Sequence, residues 1–289
     1  MLSGLIGAGF QIAGTWPMRS ELPNRMRNIG SNALASSIVL VCRPRPDDAP
    51  LATQREFLAA LKHELPHRIT VLQHEGIAAV DLAQASIGPG MAIFSRYSRV
   101  LGADGNPMSV RASLGHINAE LDRFLAEQEG ELDPDTRFCV AFFDDFGHRP
   151  VEYGQAEVLS KAKNVGIEAL VRAGMVEAGK GKVRLLTREE LDPRWDPLAG
   201  RRVAVWECAQ HLIRALRTGG EEEAARLAQR MGPDLARWAV ELAHRLYAIA
   251  ERRKRSEEQQ AYNELAASWS AIQEKMARAD SASVQRPLI

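Results

Sequence analysis

The sequence predicts a mainly α-helical chain with a small α/β part at its N-terminus. Three observations carry this expectation. First, Leu34 to Cys42 is an apolar run whose two faces are equally greasy, the pattern of a strand inside a sheet. Second, residues 134 to 186 read as three helices followed by two short strands joined by Gly179-Lys180-Gly181. Third, the last third of the chain carries apolar stripes spaced at three and four residues: Val205, Trp206, Ala209, Leu212, Ile213 and Leu216, then Leu235, Trp238, Leu242, Leu246 and Ile249.

In chain order, residues 2 to 8 read as the end of a helix, with Gly7 and Gly9 near its stop. Phe10 to Met18 is a first strand, with Ile12 and Trp16 placed on one face. A polar loop leads to the strand Leu34 to Cys42, and PRPDDAP at 44 to 50 is a linker by composition. Thr53 caps a helix bearing Phe57, Leu58, Leu61 and Leu65. Ala79 to Ser86 and Met91 to Tyr97 read as two short helices separated by Gly88-Pro89-Gly90, and Val100 to Met108 as a tight hairpin around Asp104-Gly105. Ser109 caps a long helix carrying Val110, Leu114, Ile117, Leu121 and Leu125. Pro134 to Phe146, Gln155 to Lys163 and Ile167 to Ala173 are the three middle helices. Thr187 with Glu190 and Ser256 with Gln259 are capping boxes, and Tyr262, Leu265, Trp269, Ile272 and Met276 form a last near-heptad stripe. These readings divide the chain at 1–46, 47–130, 131–192 and 193–278, with residues 279–289 as a disordered tail.

With 37 Lys and Arg against 37 Asp and Glu, the chain has no global charge to attract nucleic acid, so any such contact must be local. Cys42, Cys139 and Cys208 are far apart and form no C-x-x-C pair, which argues against a cysteine zinc site and suits a reducing, cytoplasmic location. The apolar opening MLSGLIGAGFQIAG has no basic lead-in and is too short to span a bilayer, so neither export nor a membrane partner is expected.

GAGFQIAGTWPMRSE followed by NALASSIVLVCRPR resembles the closing part of the large prokaryotic adenine-specific DNA methylases, a Zn-ribbon-bearing, phage-defence-associated family. DLAQASIGPGM at 81–91, AKN at 162–164 and GKVRLL at 181–186 resemble the same family's C-terminal region, in the same order. The resemblance implies that residues 1–46 are the terminal helix end and antiparallel strand pair of a Rossmann-like sheet that binds S-adenosylmethionine. It also places Trp16, Pro17, Arg19 and Glu21 near the substrate rim. The family's glycine-rich loop and D-P-P-Y motif do not occur in this sequence, whose nearest matches are DPRW at 192 and DPLA at 196, and the Zn-ribbon cysteines are missing. No catalytic, cofactor-binding or metal-binding residue is therefore carried over. The implied role is the C-terminal part of an S-adenosylmethionine-dependent DNA adenine methyltransferase, inactive alone, whose partner is the missing N-terminal half. The rival is a non-catalytic helical adaptor or DNA-binding module of a phage-defence complex.

Residues 131–192 have the order of a winged helix. The basic residues Lys161, Lys163, Arg172, Lys180, Lys182, Arg184 and Arg188 cluster there, and the first six are the candidate DNA contacts, to phosphates before bases. The opposing reading is a protein-contact module whose charges are a solvated face. HELPH at 63–67 fits the zinc-protease pattern H-E-x-x-H, but Pro66 disfavours helix there, and the histidines read better as a helix C-terminus. Asp144-Asp145 reads as a helix end rather than a metal pair, and ERRKR at 251–255 as a charged helix terminus.

Overall fold

Gly9, with φ +83°, turns the short helix α1 (Leu2–Gly7) into the strand β1 (Phe10–Arg19). The structure, a computed structural model, describes residues 1–19, 36–199 and 203–284. It is mainly helical with a few small sheets, and it divides into two compact units, Met1–Glu127 and Gln128–Ile289.

In the first unit β1 pairs antiparallel with β2 (Ser36–Pro44), in register from Phe10 opposite Pro44 to Arg19 opposite Ser36. The register slips between Ile12 and Gly14. This bulge changes which residues face inward. Ile12 is buried, and its N–H donates to Ser95 Oγ at 2.8 Å. Past the bulge Thr15 lies against the helix α3 (Ala79–Ser95) and Trp16 is exposed, so Ile12 and Trp16 do not share the expected face.

Three further expectations are corrected in this unit. α3 runs unbroken through Gly88-Pro89-Gly90. Both glycines are there for close approach: a Cβ on Gly88 would lie 2.0 Å from the Thr15 side chain, and one on Gly90 would lie 2.5 Å from Ile117. Burial of Leu82, Ala85, Met91, Ile93 and Phe94 along one helical course outweighs the poor local propensity. Likewise α2 (Gln54–His74) does not end at HELPH but continues through Pro66 for two more turns. Phe57, Leu61, Leu65 and Ile69 form one fully buried stripe across the proline. Thr53 caps this helix in a reciprocal box with Glu56.

The loop around Asp104-Gly105 exists, but its strand β4 (Arg99–Leu101) pairs mainly in parallel with β3 (Leu51–Thr53), which follows directly on PRPDDAP. Ser109 Oγ accepts from Ala112 N–H and starts α4 (Val110–Glu131) as expected.

In the second unit Asp133, whose carboxylate accepts from Thr136 N–H at 2.9 Å, begins α5 (Pro134–Phe146). The same carboxylate accepts from Val205 N–H at 3.1 Å, and Thr136 Oγ1 accepts from Trp206 N–H. One aspartate thus anchors the starts of two helices about seventy residues apart. Then come β5 (Val151–Glu152), α6 (Tyr153–Ala162), α7 (Ile167–Ala173), β6 (Val176–Gly179) and β7 (Lys182–Leu185). The three strands form one antiparallel sheet in the order β5-β7-β6. β5 had no signal in the sequence, because two residues cannot show a period.

A 3₁₀ turn, Arg188–Glu190, leads to a bundle of α8 (Val205–Met231), α9 (Pro233–Arg252) and α10 (Ser256–Val284). α8 is kinked at Gly220, whose φ is +67°. The core is aromatic: Phe138, Phe142, Phe143, Trp206 and Tyr262 are completely buried, with Phe143 packed against both Trp206 and Tyr262. α10 extends to Val284, past residue 278 where the tail was expected to begin. Helical register carries it on, and residues 285–289 lie outside the described residues.

Candidate functional site

Three places in the chain hold the residues singled out by sequence. The first is the strand pair β1–β2. Trp16 stands opposite Val39 in the register, and both are exposed, at 64% and 40%. A cross-strand apolar pair facing water has lost the burial that normally stabilises it. β1 and β2 pair with no other strand among the described residues. Trp16 also lines one side of a cleft of about 460 Å³ bounded by α2 and α3. There Glu64 and Arg96 form a two-pronged ion pair at 2.7 and 3.1 Å. The glutamate of HELPH is therefore engaged, while His63 and His67 stand exposed on one face. No group of three or more metal-ligating side chains occurs among the described residues. Pro17 and Arg19 continue β1, and Glu21 lies outside the described residues.

The second place is the three-stranded sheet with α6 and α7. The six candidate cations are near one another in sequence but not equal in availability. Lys180 occupies the β6–β7 turn with φ +51°, fully outside the sheet. Lys163, Arg172 and Lys180 have no ion-pair partner among the described residues, whereas Lys161 pairs with Glu157 at 3.1 Å and Lys182 lies 3.9 Å from Glu152. Arg184 is held by Glu177 and Glu190 together. The Arg184 hydrogen bonds and the Thr187 N–H hold Glu190 down to a pKa of about 2, and Glu190 in turn closes the expected capping box. Arg188 is buried against Glu258 and cannot meet a ligand outside. Over residues 134–192 nine Lys and Arg face ten Asp and Glu, so the field at this face is close to neutral. The outward side chains of α7 are Glu168, Ala169, Val171 and Arg172, and Glu168 accepts a hydrogen bond from Tyr153 at 2.9 Å.

The third place was not legible as a site. His148, Arg188, Arg255 and Glu258 meet in a cavity of about 580 Å³ beside the start of α10. Arg188 donates twice to Glu258, and His148 Nε2 lies 3.5 Å away. Burial raises the Glu258 carboxyl, but the His148 contact and the Arg188 charge more than reverse this and leave its pKa at about 2. The same cluster absorbs two other motifs. Asp144, in the last turn of α5, pairs with Arg252 and Arg253 at 2.7 Å, and Asp145 lies 3.7 Å from Arg253. The acidic pair therefore takes up Arg252 and Arg253 of ERRKR. No local signal could have joined residues more than a hundred positions apart.

Residues 133–288, more than half of the chain, match the profile of a family described as a domain of unknown function, DUF8807. The chain belongs to the DUF8807 family. The match begins at Asp133, the residue that anchors α5 and α8, and so covers the described part of the second unit almost entirely. No curated protein and no solved structure matches the chain. Among the described residues no helix is long and apolar enough to cross a membrane.

Proposed function

We propose that this chain is the C-terminal part of an S-adenosylmethionine-dependent DNA adenine methyltransferase, in which it supplies a sheet edge and assembly contacts. The observation that carries the reading is the β1–β2 pair. It is antiparallel, follows directly on a helix, and covers only one face, against α3. A two-stranded sheet is marginal in water, and its open edges are templates for further strands. The exposed Trp16–Val39 pair adds an apolar surface beside those edges that a partner would cover. S-adenosylmethionine binding and base flipping need residues this sequence does not hold, so both fall to the half that carries the glycine-rich loop and D-P-P-Y.

The order α5-β5-α6-α7-β6-β7 supports a winged-helix-like unit. Its DNA role is confined to phosphate contact by Lys163, Arg172 and Lys180, with Lys161 and Lys182 weakly held. Arg184 drops out because its guanidinium is already occupied. A second reading, the non-catalytic protein adaptor, is favoured by one observation: Val158 on α6 and Val171 on α7 are exposed beside these cations, and the field there is near neutral.

Co-expression with a chain carrying D-P-P-Y and the glycine-rich loop tests the first reading. A stable complex with adenine methylation, lost on Trp16→Glu, is the expected result. A folded, monomeric chain that ignores that partner overturns it.

A further inference from the structure

The cavity beside the start of α10 is lined by arginines that ion pairs do not all take up among the described residues. Four arginines line it: Arg149, Arg188, Arg217 and Arg255. Arg188 is neutralised by Glu258, and Arg217 by Glu264. Arg149 and Arg255 have no carboxylate within ion-pair distance among the described residues. Arg149 lies over the Phe146 ring, and Arg255 lies over the Phe143 ring at 4.8 Å. Arg255 donates only to the backbone carbonyls of Phe143 and Asp144. The remaining carboxylates of the lining, Glu189 and Glu257, are exposed at the rim.

Arg255 also differs from the other perturbed arginines. Arg96, Arg123, Arg184, Arg188 and Arg253 are all held more firmly charged by their partners. Arg255 alone among them is pushed down, by burial first and then by the nearby charge of Arg253, against which Asp144 acts only in part. This half-buried guanidinium has no carboxylate paired with it directly, so its charge is incompletely balanced. The geometry points to a phosphate-binding site in this cavity, in which Arg149 and Arg255 hold the phosphate and the Ser256 hydroxyl, at its edge, adds a donor. Planar guanidinium groups suit phosphate oxygens better than they suit spherical halides. The site does not depend on the methyltransferase reading, and none of the candidate DNA-binding lysines contributes to it.

The phosphate belongs either to a nucleic-acid backbone or to a small phosphate, and titration of the full chain separates these. Inorganic phosphate is titrated against chloride at equal ionic strength, followed by calorimetry and melting temperature. Phosphate should bind and raise the melting temperature, and chloride should not. Arg149→Ala should bind at least tenfold more weakly, and Arg255→Lys likewise. Arg226→Ala, which removes an exposed arginine elsewhere in the same unit, should bind as the parent does. Arg149 is exposed, with only the Phe146 ring beneath it, so its variant folds even if Arg255→Lys does not. A single-stranded oligothymidylate that binds, is displaced by inorganic phosphate and is lost with Arg149→Ala identifies a nucleic-acid source. Binding of inorganic phosphate alone identifies a small one. Equal binding by the parent and Arg149→Ala, or no preference over chloride, overturns the site.

Discussion

In the first unit the largest side chain of β1, Trp16, stands 64% exposed, while in the second Trp206 is completely buried among Phe143 and its neighbours. In the second unit the starts of α5 and α8 share side-chain acceptors, Asp133 and Thr136. In the first unit the strand pair covers one face and leaves the other to water. A closed aromatic core supports an independent domain, whereas an apolar strand face left in water implies that something else covers it. The extent of the DUF8807 match, which starts at Asp133, follows the closed half.

Several changes would break or sharpen this contrast. The largest effect is expected in the second unit at Glu258. Glu258→Gln leaves Arg188 buried without a counterion and should cost about 3 kcal/mol in denaturant unfolding at neutral pH. The ionised Glu258 has a lowered pKa, so its contribution is complete above about 4.5 and is lost as the pH falls toward about 2. The variant should lack that acid-side loss, and parallel acid unfolding curves would contradict the assignment. Asp133→Ala should follow, at about 2 kcal/mol, since it removes the cap of α5 and an acceptor at the start of α8. A loss under about 0.5 kcal/mol would show that water replaces it fully.

In the first unit Gly88→Ala should cost roughly 1–3 kcal/mol, because the new methyl meets Thr15 and lifts β1 from α3. Hydrogen exchange should quicken in β1 and β2 and stay unchanged in α8 to α10. Trp16→Ser should change stability by less than about 0.5 kcal/mol, because the ring is exposed already. Its effect should appear only in partner capture. A large stability loss would mean that Trp16 is structural. The smallest effect concerns thiols. Burial pushes Cys139 well up and Cys208 to about 12, so a thiol reagent should modify Cys42 alone in the native chain.

Some of this was readable residue by residue. Pro134–Phe146 and Ile167–Ala173 have the expected bounds, since Asp133 and Gly166 open them and Gly147 and Gly174 close them. The buried stripes of α8, α9 and α10 were visible from their spacing, and the break between the last two falls at the expected arginines. Of the candidate contacts, the sequence located all six cations but could not rank them, because the carboxylates that occupy Arg184 come from β6 and the 3₁₀ turn.

The sequence by itself determined that the chain is mainly helical, where the apolar stripes run and which segment carries the basic cluster, because capping and periodicity act over a few neighbouring residues. Tertiary structure decided that Gly88-Pro89-Gly90 and Pro66 stay inside helices, that a bulge turns Trp16 outward, and that Arg188 and Glu258 meet in one cavity. In each case burial and charge pairing among residues distant in sequence outweigh a local preference of a few kcal/mol.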